Sequence, residues 1–215
     1  RRYPRDRRPP TPGWPEFTGP TRWARLVFMD EEIARAVEEV IRTRRTSLLV
    51  DQDQPVDPGV VQRLIGSAIW APNHKRTWPW RFTVLTGDAR RRLGEAFAAV
   101  GEELDMDPIK VEKQRTKYLR SPVVVLVWVT GDPSEVRRRE DRDATAAAVQ
   151  NLLLAATANG LASYWATISD DFYPAARELA GLDENHDFVA LVYLGHPSTA
   201  VAVPPRPVPD VAWLS

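Results

Sequence analysis

Residues 123–129, Val-Val-Val-Leu-Val-Trp-Val, constrain this chain more than any other stretch. The run is too short for a buried helix and rich in β-branched side chains. Ser121-Pro122 breaks the chain before it, and Gly131-Asp132-Pro133 breaks it after. A strand with no polar face must be covered on both sides. The rest of the chain therefore has to supply a sheet and helices to flank it.

Helix signals are plentiful. Asp57-Pro58 and Asp107-Pro108 are each a capping carboxylate followed by proline at the first helical position, where its missing N–H costs nothing. After Asp57, residues Val60, Val61, Leu64, Ile65, Ala68 and Ile69 form a buried stripe running toward Ala71-Pro72. Asp30 caps an earlier helix, with Ile33, Ala34, Val37, Val40 and Ile41 at helical spacing up to Arg42. Asp88 starts another through about Leu104, and a weaker, charged one follows Asp107 as far as Leu119. Arg137 to Asp143 reads as an exposed charged segment before a long helix from Ala144 to Asn159, which Gly160 stops. Pro174 to Ala180 is a short helix closed by Gly181. Further strands are expected at Trp80–Thr86 and Phe188–Leu194, with a short segment at Ala162–Ile168. Helices and strands do not alternate strictly, which favours an α+β fold over a doubly wound sheet.

The chain has 215 residues, no cysteine and zero formal net charge. Disulfides and thiolate chemistry are excluded, and no global field draws in nucleic acid. No strand is followed by a Gly-rich dinucleotide or P-loop pattern, and no G-x-S-x-G elbow is present. His74, His186 and His196 lack metal-ligand spacing, so no metal site is assigned. Any enzymatic chemistry then rests on an organic cofactor. Three regions are expected: an Arg/Pro-rich arm at 1–22, a folded domain at 23–200, and a tail at 201–215. The arm buries too little to order and reads as a solvated, disordered segment; contact with an acidic partner is the alternative. The tail carries Val203, Val208, Val211, Trp213 and Leu214, too apolar to float, and is expected to dock on its own core or on a partner subunit. With no apolar run long enough to cross a bilayer and a polar, Arg-rich start, the expected location is cytoplasmic, away from membrane.

Four stretches concentrate chemistry. Arg44-Arg45-Thr46-Ser47 offers two guanidinium forks and two hydroxyls, a donor set suited to phosphate or equally to a solvated helix end. Ala71 to Phe82, APNHKRTWPWRF, combines polar donors with flat aromatic surface. Gly160-Leu161-Ala162-Ser163-Tyr164-Trp165-Ala166-Thr167 pairs small residues with two rings. Leu194-Gly195-His196-Pro197 ends a strand.

In this order the four stretches resemble the nitroreductase family of FMN-dependent oxidoreductases, over roughly residues 30–205. The Ala71-Pro72-Asn73-His74-Lys75 turn is most similar to the compact bacterial subfamily with A-P-D-H-K there. The resemblance implies a nitroreductase-like α+β fold with a mostly antiparallel central sheet flanked by helices, in an intertwined homodimer with each flavin at the subunit interface. It implies that Arg44, Arg45 and Thr46 bind the phosphate and ribityl end of FMN, with Arg206 as a late phosphate-binding cation. Trp70 and His74 would contact the flavin, and Trp165, Ala166 and Thr167 would lie along it. NAD(P)H would be the donor and an electron-poor small molecule, such as a nitroaromatic or quinone, the acceptor, in ping-pong turnover without a catalytic acid or base. Many members carry Lys or Arg at the flavin's N1 edge where this chain has Leu48. That difference leaves open a flavin-binding protein of the same fold without reductase turnover.

Overall fold

The computed structural model describes residues 31–214. The arm at 1–22 and the cap expected at Asp30 lie outside the described residues. In chain order the elements are α1 (Glu31–Thr43), α2 (Pro58–Ala68), β1 (Trp80–Thr86), α3 (Asp88–Glu103), α4 (Pro108–Thr116), β2 (Val123–Thr130), α5 (Glu135–Ala158), β3 (Ala162–Ala166), α6 (Tyr173–Ala180) and β4 (His186–Gly195). Three 3₁₀ turns join them, at His74–Arg76, Lys117–Arg120 and Asp170–Phe172.

The four strands form one sheet in the order β1-β2-β4-β3, with every pairing antiparallel. The apolar run is β2, inside the sheet as its composition demands. Val123, Val125, Val127 and Val129 pack toward α2 and α5 with Leu64, Val149 and Leu152. Val124, Leu126 and Trp128 point the other way, into a cluster with Leu93 and Phe97 of α3 and Ala176 of α6. The pleat thus divides one strand between two cores, giving helix, sheet and helix in three layers. Strict alternation is interrupted once. Ala190 pairs with Val127 but Phe188 pairs with Trp128, leaving Val189 as the extra residue of a β-bulge. The extra residue turns Phe188 to the α3/α6 face, where its ring lies 5.3 Å from Trp128 and 5.3 Å from Tyr173.

Both Asp-Pro devices form as read. The Asp57 carboxylate accepts from the N–H of Gly59 and Val60, and that of Asp107 from Ile109 N–H. Gly181 closes α6 in the left-handed conformation at φ 66°. Three boundaries differ from the sequence reading. The second helix stops at Ala68, and Ile69 is 39% exposed rather than part of the buried stripe. The α4 helix ends at Thr116 and tightens into a 3₁₀ turn before Ser121-Pro122. The largest difference is α5. It begins at Glu135, capped by the Ser134 hydroxyl, so the charged run 137–143 lies within its first half, largely exposed as read, rather than before the helix. Within that run Asp141 is only 3% exposed. It stands in helical register with Thr145, Ala148 and Leu152, all buried.

Two apolar surfaces lack a cover among the described residues. The α1 helix has no buried residue, and Ile33, Val37 and Ile41, spaced by four, form an exposed stripe along it. The chain from Pro197 to Leu214 is exposed throughout. Among the described residues no helix is long and apolar enough to cross a membrane.

The α3 and α4 helices approach so closely that a Cβ on Gly94 would lie 2.0 Å from the Arg115 carbonyl oxygen. Gly94→Ala is therefore expected to destabilise the fold by about 1–3 kcal/mol, as overpacking does. Gly66→Ala in α2, where nothing lies within 4 Å of a new Cβ, should stabilise by up to ~1 kcal/mol. Urea denaturation midpoints at constant m-value would check the pair.

Candidate functional site

Past α1 the chain adds itself to the open edge of β3. Thr46 forms a parallel bridge to Ser163, and Ser47 N–H donates to Ser163 O at 2.9 Å. It then meets the exit of β4, where Asp51 N–H donates to His196 O and Ser198 N–H to Leu49 O, each at 2.9 Å. These backbone bonds fix Arg44 and Arg45 beside the neighbouring ends of β3 and β4. The Arg44 guanidinium is held below the usual arginine pKa, first by burial and then by repulsion from Arg45 and Arg206. Three cations therefore share one region. None of them forms an ion pair among the described residues.

A cavity of about 480 Å³ opens here, lined by Thr43, Arg45, Ser47, Thr157, Gly160 and the 197–201 stretch. Its size falls in the range of small-molecule sites. The Nε of Arg45 and the Oγ of Ser163 are buried without a hydrogen-bond partner. Orphaned donors beside clustered, unneutralised guanidiniums are costly unless an acceptor completes them, and a phosphate supplies oxygens of the right charge and geometry. The donor set therefore fits the phosphate end of a nucleotide-like cofactor. Trp165 and Ala166 are half-buried in the later part of β3, opposite Val192 and Leu191, and Thr167 is exposed just beyond. Leu48 packs against the α3/α6 core.

The second group of residues lies between α2 and β1. Trp70 is 70% exposed and Trp78 is 53% exposed. The backbone is unusual: Lys75, Arg76 and Trp78 have φ of 62°, 54° and 49°. Each non-glycine residue in that region costs on the order of 1–3 kcal/mol, so the turn persists only if its surroundings hold it. Asn73 Oδ1 accepts from Trp78 N–H at 2.8 Å, and Asn73 Nδ2 donates to Thr77 Oγ1 at 2.9 Å. The Thr77 hydroxyl donates to Asp141 Oδ1 at 2.5 Å, and Asn73 Nδ2 reaches the same oxygen at 3.3 Å. Beside them His74 Nδ1 meets Glu140 Oε2 at 2.9 Å. The Trp78 ring stands edge-on to the buried Trp80, centroids 5.9 Å apart.

The fold thus collects Arg44, Arg45, Thr46 and Arg206 at one place, with Trp165 and Ala166 on the strand alongside and Thr167 just past its end. It does not bring Trp70 and His74 to them within one chain. His74 is tied to Glu140 near the start of α5, whereas the cavity beside Arg45 touches Thr157 near its end. At ~1.5 Å per residue those helix positions are roughly 25 Å apart. Sequence reasoning missed Asp141 and Glu140, while Ser47 and Ser163 lay inside stretches it singled out. Asp141 had a usable signal, its helical spacing from Thr145, Ala148 and Leu152. Glu140 had none that distinguishes it from a surface residue.

A mostly antiparallel sheet between helix layers, with an arginine-rich edge and an aromatic, strained turn, defines an α+β protein. The sequence model of the Nitroreductase family matches residues 41–196, and the chain belongs to that family. It is 30% identical over 178 residues, 81% of this chain and 91% of the relative, to the Bacillus subtilis (strain 168) protein named "Putative NAD(P)H nitroreductase YfhC". Among solved structures it resembles a nitroreductase-like family protein from Bacillus cereus, with TM-score 0.70 and 27% identity over 80% of this chain and 91% of the other. It also resembles a "putative nitroreductase in complex with fmn" from Desulfovibrio desulfuricans, with TM-score 0.61 and 28% identity over 80% of this chain and 92% of that one.

Because like charges crowd Arg44, Arg45 and Arg206, an anion that binds them stabilises the native state by mass action. Inorganic phosphate is expected to raise the melting temperature, and the double variant R45A/R206A to lose most of that rise. Thermal scans at matched ionic strength would check it. The exposed His74–Glu140 pair should contribute little, and E140A should change stability by less than ~1 kcal/mol.

Proposed function

We propose that this protein is an FMN-dependent oxidoreductase that takes hydride from NAD(P)H and reduces an electron-poor acceptor such as a nitroaromatic or a quinone. The observation that carries the reading is the cluster of Arg44, Arg45 and Arg206, without an acidic partner among the described residues, beside a cavity of about 480 Å³ and two orphaned buried polar atoms. The FMN held by the Desulfovibrio desulfuricans relative and the NAD(P)H in the name of the Bacillus subtilis relative support it.

In this reading the three guanidiniums hold the phosphate, and Thr46 adds a neutral hydroxyl toward the ribityl chain. Trp165, Ala166 and Thr167 line the ring. Trp70 and His74 come from the second chain of a homodimer, since roughly 25 Å of helix separates them from the arginines of their own chain. A two-fold axis then builds two complete sites from four halves. The stripe of Ile33, Val37 and Ile41 and the tail from 201 onward supply the apolar surface such a dimer needs. FMN held there by Arg44, Arg45, Arg206 and Thr46 would supply two-electron redox chemistry, with donor and acceptor using one pocket in turn. The chain's own residues bind, orient and cover; none is assigned as an acid or base. Leu48, packed into the core where many relatives carry a cation, favours a second reading, a flavin carrier or sensor with no NAD(P)H turnover.

The purified protein should show flavin absorption bands, or retain them after incubation with FMN and desalting, and protein that stays flavin-free after that treatment would end the proposal. Consumption of NADH or NADPH with a quinone separates enzyme from carrier. R45A should weaken FMN binding about tenfold or more, the usual cost of losing a charged hydrogen bond. Co-expressed R45A and H74A chains should restore intact sites in their heterodimers, about a quarter of all sites for random pairing of a two-fold dimer. Titration of bound flavin fluorescence and activity of the mixed preparation read these outcomes.

A further inference from the structure

We propose that Asp141 is the positioning residue of the 73–78 turn, fixing Trp78 and His74 as one wall of the ring-binding pocket. This rests on the flavin reading above for what the wall faces, but not for how the wall is held. Asp141 lies in the body of α5, well past the Ser134 cap, so its carboxylate has no capping duty in its own helix. It stands in the buried stripe of that helix with Thr145, Ala148 and Leu152. A carboxylate that is 3% exposed is costly unless hydrogen-bonded. Among the described residues its side-chain partners are Asn73 and Thr77, which lie 68 and 64 positions away in sequence. Neither bond serves α5, and both close the turn.

The turn needs that closure. Three of its residues have left-handed backbone, and none is glycine or asparagine, the types that tolerate it. Asn73, held by Asp141 and Thr77, in turn accepts from Trp78 N–H. The bonds run from the buried carboxylate through two small polar side chains to the one backbone amide that orients Trp78. Glu140, the preceding residue of α5, meets His74. One acidic pair on a rigid helix thus fixes an imidazole and an indole. Trp78 stays half exposed while its edge contact with buried Trp80 steadies it, the arrangement expected of a platform for a flat ligand.

The Trp78–Trp80 contact provides a readout free of cofactor, because two indoles this close give an exciton couplet in far-ultraviolet circular dichroism. W78F assigns the couplet by removing it. D141A and T77V are each expected to lose most of it at unchanged helix signal, and to weaken FMN binding about tenfold. D141N keeps an acceptor oxygen for Thr77 and should recover part of both. If D141A does not fold, T77V decides, since it removes the bridging hydroxyl and keeps the volume. Folded D141A or T77V with an intact couplet and unchanged FMN Kd would overturn the assignment. Wild-type protein that never binds FMN would instead sink the flavin reading, and the couplet would still decide whether Asp141 holds the turn.

Discussion

β2 cannot be left with an open face, and α5 is what covers it on one side. Everything about the candidate site depends on that contact. The valines of β2 seat Ala148, Val149, Leu152 and Leu153 of the helix. A helix of 24 residues is ~36 Å long, longer than the strand it covers. Its two ends therefore extend past the sheet. One end carries the acids that hold the aromatic turn, and the other borders the cavity beside the arginines. Core packing fixes the distance between two chemical environments that neither environment could fix for itself.

Electrostatics at the two ends is opposite in kind. At the arginine end, like charges are brought together by backbone pairing to β3 and β4, and burial and mutual repulsion hold Arg44 down. Bringing like charges together is unfavourable in itself. At the turn, the unfavourable term is conformational, and a buried carboxylate offsets it inside the same chain. One half of the site gathers like charges; the other is satisfied by hydrogen bonds within the chain.

The legible parts of this chain were those written in local chemistry. The cap-and-proline pairs at Asp57 and Asp107, the stop at Gly181, and the two-faced burial of residues 123–129 each follow from a few neighbouring residues. The nitroreductase resemblance was likewise carried by short stretches in order. What stayed hidden was register within charged segments and distance in space. The run from Arg137 to Asp143 looks like a solvated connection because its charges mask a single inward position. The left-handed turn is hidden because Lys, Arg and Trp carry no mark of that backbone, and only the hydrogen bonds of Asn73 explain it. That Arg44 and His74 stand at opposite ends of one helix is a fact of packing, and nothing in their spacing along the chain expresses it.

The separation along α5 has a consequence for handling the protein. Where a ligand is clasped by parts of two molecules, its retention follows the association equilibrium of those molecules as well as its own supply. Dilution at a constant excess of such a ligand would release it, and concentration would restore binding.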